Sequence, residues 1–271
     1  MTSERAGSGA AGVRWADDEG VVTVTIDRAD VRNSLDRPSV LALIEAFEAS
    51  GNARCIVLAS AGTSFCSGGD LPHLERLAAR PDEIRGSIEG SFQRLMRAIR
   101  GHPVPVIARI QGPAVGAGAD LALACDLRVA STEAWLREPW IELGLVSALG
   151  APVNLALGGG PGFALDVLLS GRKVGADEGL ARGLFQRVVA PGDLDAEVGA
   201  LAARIAALDP GGVRSMKELV TMTYDRAFDR ALRSGVDHQE RLMRSPEFVV
   251  RVRAILDRIS RGARPMTRAG S

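Results

Sequence analysis

Short apolar runs alternate with helix-period segments along the first 190 residues. Val21-Val22-Thr23-Val24-Thr25-Ile26 is rich in β-branched residues and predicts a strand. Leu41, Ile44 and Phe47 repeat at helical spacing behind Pro38, a first-turn proline, and predict a helix over 38–49. A strand follows over 54–59. Ile84, Ile88, Phe92, Leu95, Met96 and Ile99 mark one face of a helix over 82–100. The pattern continues with a strand over 104–110, a short helix ending at Ala124 and a strand over 127–130. Strands alternating with helices predict an α/β fold. From about residue 194 the strand pattern stops, and helical patterns run over 194–208, 212–223, 225–243 and 246–259. The expected organisation is an α/β core over 13–193 and a helical region over 194–260. Flanking residues 1–12 and 261–271 are expected to be disordered. Phe228, Leu232, Val236, Leu242, Met243, Phe248, Val252, Ile255 and Leu256 give the helical region much apolar surface. It must be buried on the core or on another subunit.

Composition narrows the class. The 271 residues are 46% hydrophobic but only 4% aromatic, so the core is built mainly from Ala, Val, Leu and Ile. A formal net charge of zero gives no sign of a nucleic-acid partner. No apolar run approaches the ~20 residues of a membrane span, and the polar N-terminus does not read as a signal peptide. Cys55, Cys66 and Cys125 form no C-x-x-C pair, which fits a reduced, cytoplasmic protein. The three His are scattered, so no metal site is expected.

Two loops carry the candidate chemistry. Phe65-Cys66-Ser67-Gly68-Gly69-Asp70-Leu71 and Gln111-Gly112-Pro113-Ala114-Val115-Gly116-Ala117-Gly118-Ala119-Asp120 each follow an apolar run, and the second enters a helical pattern. Small residues at such turns let backbone N–H groups approach a ligand. Two N–H groups aimed at one oxygen make an oxyanion hole, a large catalytic term in carbonyl chemistry.

In this order the loops resemble those of the crotonase, or enoyl-CoA hydratase/isomerase, family. Further segments share the resemblance: Asp27 to Leu35, Leu121-Ala122-Leu123-Ala124-Cys125-Asp126, Ala134 to Gly144, Leu169-Ser170-Gly171 to Gly183-Leu184, and Val188-Val189. Together they cover about residues 20–225. The resemblance implies a spiral of ββα turns, a helical C-terminal oligomerisation region building a homotrimer or hexamer, and an acyl-CoA thioester substrate. It implies no cofactor, since coenzyme A is part of the substrate. It places the oxyanion hole on the N–H groups of Gly69 and Ala117, with Ala117 departing from the family's usual Gly. Gly68, Asp70 and Leu71 fall in the substrate-binding loop, and Arg32 falls where a basic residue meets the CoA phosphates. A weaker implication takes Lys217 to a CoA phosphate.

Family hydratases use two glutamates. The first position is Asp120, one methylene shorter, readable as the proton-transfer residue or as a helix cap. The second is Trp140, which donates a hydrogen bond but relays no proton. Trp140 reads as a pocket wall or as core. Glu138 and Glu142 flank it, but neighbours on a helix do not share its face. A dehalogenase branch also carries Trp here, but its nucleophile and base positions are Ala148 and Gln93, so that mechanism is not expected. The leading reading is an enoyl-CoA hydratase. The alternatives are a double-bond isomerase using one carboxylate, or a non-catalytic acyl-CoA-binding protein.

Overall fold

A computed structural model describes residues 5–9 and 11–262. Ten strands form two sheets. The larger contains β1 (Arg5–Gly9), β2 (Val13–Asp18), β3 (Val21–Ile26), β4 (Cys55–Ser60), β5 (Val106–Ile110), β7 (Leu127–Ser131) and β10 (Arg187–Val189), side by side in that order. The smaller orders β6 (Ala114–Val115), β8 (Trp135–Arg137) and β9 (Lys173–Gly175). In the larger sheet β1, β2 and β3 are antiparallel, and β3, β4, β5, β7 and β10 are parallel. All six residues of β4 are buried, as expected of a strand with helices on both faces.

Each sheet face has its own core. On one side Val24, Ile56, Leu58, Val106 and Ala108 pack with Leu43, Phe47, Leu95, Ile99 and Leu121 from helices. On the other, Cys55, Val57, Ile107 and Val129 meet Leu194, Val198, Leu201 and Ala202. The helix Leu194–Ala206, the first of the predicted helical region, thus covers the back of the sheet.

Several expectations change. Arg5–Gly9, expected to be disordered, pairs along its whole length with β2. Backbone pairing asks nothing of side-chain hydrophobicity, so Gly and Ser did not reveal it. Residues 1–4, 10 and 263–271 lie outside the described residues. The helix expected over 82–100 is interrupted by a π-helical turn, Ile88–Gln93. There the buried Gln93 amide donates to the carbonyls of Ala148 and Leu232, both at 2.8 Å, tying the turn to the C-terminal helices. Phe228, Leu232, Val236, Met243, Phe248 and Val252 are buried within their own chain. The C-terminal helix Pro246–Gly262 packs on Leu71–Ala78 and on the short helical turn Pro139–Leu143.

Candidate active site

The two small-residue loops meet edge to edge. Phe65 and Cys66 N–H groups donate to Pro113 O at 3.0 and 3.1 Å, and Val115 N–H returns to Cys66 O at 2.9 Å. The first loop is held from its other side by Arg32 to Leu35: Ser67 N–H to Arg32 O, Leu35 N–H to Gly68 O, and Asp70 N–H to Leu35 O, at 2.7–3.0 Å. Asn33 orders that segment. It is fully buried, its Nδ2 donates to Ala61 O and Ser64 O, and its Oδ1 accepts from Arg28 N–H.

Two glycines allow this closeness. Gly68 has φ +102°, and a Cβ there would lie 2.7 Å from Val115 O. A Cβ on Gly118 would lie 2.3 Å from Cys66 O. Neither position admits a side chain without separating the loops.

The approach brings Gly69 beside Ala117. Among the described residues neither N–H donates a hydrogen bond. Ala117 opens the helix Ala117–Ala124, so its N–H has no partner within the helix. The positive end of the helix dipole points the same way. Both residues line a pocket of about 360 Å³. The structure also brings Arg32, Gly68, Leu71 and Trp140 to this pocket. Ile255, Arg258 and Ile259 of the C-terminal helix also line it, a helix the sequence did not tie to the site.

Asp70 does not line the pocket. Its carboxylate caps the helix Leu71–Ala78, accepting from His73 N–H at 3.1 Å. Lys217 is not a pocket cation either: it is buried, paired with Asp126 at 2.7 Å and donating to Val104 O. Cys66 is buried, which pushes its thiol up to about 12, so it is not a thiolate nucleophile.

Asp120 lies three residues after Ala117 on the same helix face, about 4.5 Å further along the axis. It is fully buried and does not line the pocket. Its Oδ1 accepts from Ser147 Oγ and from Ala151 N–H, each at 2.8 Å. Asp120 therefore caps the helix Ala151–Gly159 rather than its own. Burial pushes its carboxyl up to about 7, against the opposing pull of Ser147, Ala151 and Trp140.

Trp140 stands between the pocket and this carboxyl. Its ring packs on the backbone of Gly116, where a Cβ would sit 3.6 Å from Cζ2. Its buried Nε1–H is directed at the carboxyls of Asp120 and Glu138 and favours the ionised form of each against the effect of burial. Glu138 is the residue the helical-face argument passed over. It precedes the short turn with φ −118° and ψ 76°, a non-helical conformation, and its side chain is buried. Glu138 is 1% exposed, and both carboxyl oxygens lack a partner. Burial, and then the neighbouring Asp120, hold its carboxyl well above the usual range. Glu142 borders the pocket at its open side and pairs there with Arg137.

Comparison with known proteins gives the family and the fold. A family model described as Enoyl-CoA hydratase/isomerase matches residues 16–249. A crotonyl-CoA hydratase of Syntrophomonas wolfei is 30% identical over 224 residues, 81% of this chain and 85% of its own. The crystal structure of an enoyl-CoA hydratase from Mycobacterium avium subsp. paratuberculosis superposes with a TM-score of 0.82 at 31% identity, covering 92% of this chain and 96% of that one. An enoyl-CoA hydratase/isomerase from Mycobacterium paratuberculosis gives 0.85 at 26% identity, covering 92% and 100%. Crotonase fold and paired glycine loops together define an enzyme of acyl-CoA thioesters. The chain belongs to the enoyl-CoA hydratase/isomerase family.

Proposed function

We propose that this enzyme adds water across the C2=C3 bond of an enoyl-CoA thioester. The observation that carries the reading is the pair of uncommitted N–H groups, Gly69 and Ala117, at the pocket, with a buried carboxyl one helical turn below. As water attacks C3, the π electrons move through C2 onto the thioester oxygen. Two N–H donors and a helix N-terminus stabilise that developing charge. Asp120 is the proton-transfer group. Trp140 and Leu71 bound the acyl pocket, and Arg32, with Arg258, supplies positive charge at the pocket for the CoA phosphates. The chemistry needs no cofactor beyond the CoA of the substrate. The direct test is the loss of the conjugated thioester absorbance when short-chain enoyl-CoA is added. Loss of absorbance with formation of 3-hydroxyacyl-CoA supports hydration. A shifted double bond without hydroxyl formation supports isomerisation instead.

We further propose that the protein works in the cytoplasm as a trimer or a doubled trimer. Among the described residues no helix is long and apolar enough to cross a membrane, and all three cysteines are free. The apolar residues of 225–259 are largely used within the chain, so the association surface lies elsewhere. Met216, Leu219, Val220 and Met222 are each more than half exposed on and just after the helix Pro210–Thr221. Met216 and Val220 border an apolar groove of about 620 Å³. Exposed apolar surface of this kind marks an interface. Light scattering at micromolar concentration is expected to give three or six chains, and Met216→Glu is expected to release monomers. A monomeric wild type contradicts this reading.

A further inference from the structure

The pocket has an open side and a closed end. Arg32 and Arg258 are exposed, and they mark the side on which a chain carrying the CoA phosphates would lie. Trp140 and Leu143, only 8% and 6% exposed, close the other end. The closed end comes very near the amide pair. The indole lies on the backbone of Gly116, which has no side chain to hold it off. The next peptide carries the Ala117 N–H, and consecutive Cα atoms are only about 3.8 Å apart. A thioester oxygen bound to that amide therefore leaves room for only the first few acyl carbons before the ring.

The indole is held on three counts. Pro139 fixes the backbone just before it. The Trp140 carbonyl accepts from Leu145 N–H at 2.9 Å. Its Nε1–H is directed at the buried carboxyls of Asp120 and Glu138, so swinging the ring aside would take a donor from both. The space on that side is no extension of an acyl pocket. It holds polar groups, which methylenes could only desolvate further. We propose that Trp140 sets the depth of the acyl pocket and confines this enzyme to short acyl chains of about the length of butyryl. This rests on the acyl-CoA reading of the pocket and adds to it the class of acyl group. Trp140 is then the residue that determines chain length, and its N–H serves to keep the ring in place.

The test is equilibrium binding of saturated acyl-CoAs to the full chain, which reads chain length without turnover. Wild type should bind butyryl-CoA at least tenfold more tightly than octanoyl-CoA, since a hydrophobic pocket rejects a single surplus methylene by about 10–200-fold. Trp140→Ala empties the closed end and should bring octanoyl-CoA level with butyryl-CoA or above it. Trp140→Phe keeps a smaller wall without the N–H and should narrow the wild-type ratio several-fold. It takes the place of Trp140→Ala if that variant does not fold. A wild type that binds octanoyl-CoA as tightly as butyryl-CoA overturns the depth limit. So does a folded variant that keeps the wild-type ratio. A wild type that binds neither ligand overturns the acyl-CoA reading itself, so the two failures are told apart. A wild type with the expected ratio that hydrates no enoyl-CoA supports the depth limit and overturns hydration.

Discussion

Gly69→Pro is expected to remove most turnover while leaving a folded protein. The substitution deletes one of the two amide donors at the pocket. A Cβ at Gly69 would meet nothing within 4 Å. The pairing that holds the loop uses Gly68 O and Asp70 N–H, not the amide of Gly69. Loss of one oxyanion donor costs roughly 2.7–4 kcal/mol of transition-state stabilisation, or about 10²–10³ in kcat. Thermal unfolding should shift little, since neither the sheet nor the two cores is touched. A folded variant with wild-type kcat would mean that the thioester oxygen is bound elsewhere. Placing the side chain one residue earlier should differ in kind. At Gly68 the same ring meets Val115 O and a φ of +102°, so the loops themselves should separate.

Asp120→Asn should lower hydration by ~10²–10⁴ with acyl-CoA affinity preserved. The amide fits the same space and still accepts the Ala151 N–H, so the cap on Ala151–Gly159 survives. What is lost is the basic oxygen. With its carboxyl pushed up to about 7, Asp120 is mostly carboxylate above that pH. Wild-type activity should therefore rise with pH through about 7, and that limb should vanish in the variant. Stability should move the other way. The folded-state value lies above the ordinary 3.8, so the native state binds the proton more tightly than the unfolded chain. Wild-type stability should fall as pH rises from about 4 through 7, and Asp120→Asn should flatten that slope. If activity persists in the variant across this range, Glu138 becomes the base.

Much of this site was legible in the sequence because it is a backbone site. Gly69 and Ala117 are proposed to act through their amides, and small residues at two strand ends are visible without coordinates. The β4, β5 and β7 strands were equally visible as short, mainly apolar runs, with Arg109 in β5 and Arg128 in β7 the charged residues. The first strand was not, because the main-chain pairing of Arg5–Gly9 with β2 leaves no mark in its composition. Asp70 looked like a pocket residue because of its place in the loop, yet the same place makes it the N-cap of the next helix. Glu138 was missed for a geometric reason: a helical face was assumed where the backbone before Pro139 is not helical, so its burial could not be read. The partners of Asp120, Ser147 and Ala151, come from a segment about 30 residues away in sequence that has no periodic signal. The C-terminal helix read as an association surface because its apolar positions are evident. Which partner they meet, core or second subunit, is decided by tertiary packing.

The most direct measurement is a crystal structure of the protein with a saturated acyl-CoA bound. The account predicts the thioester oxygen at 2.7–3.1 Å from both the Gly69 and Ala117 nitrogens, with the acyl chain against Leu71 and Trp140. A thioester oxygen that meets neither amide, or a CoA bound outside the pocket between the two loops, would contradict it.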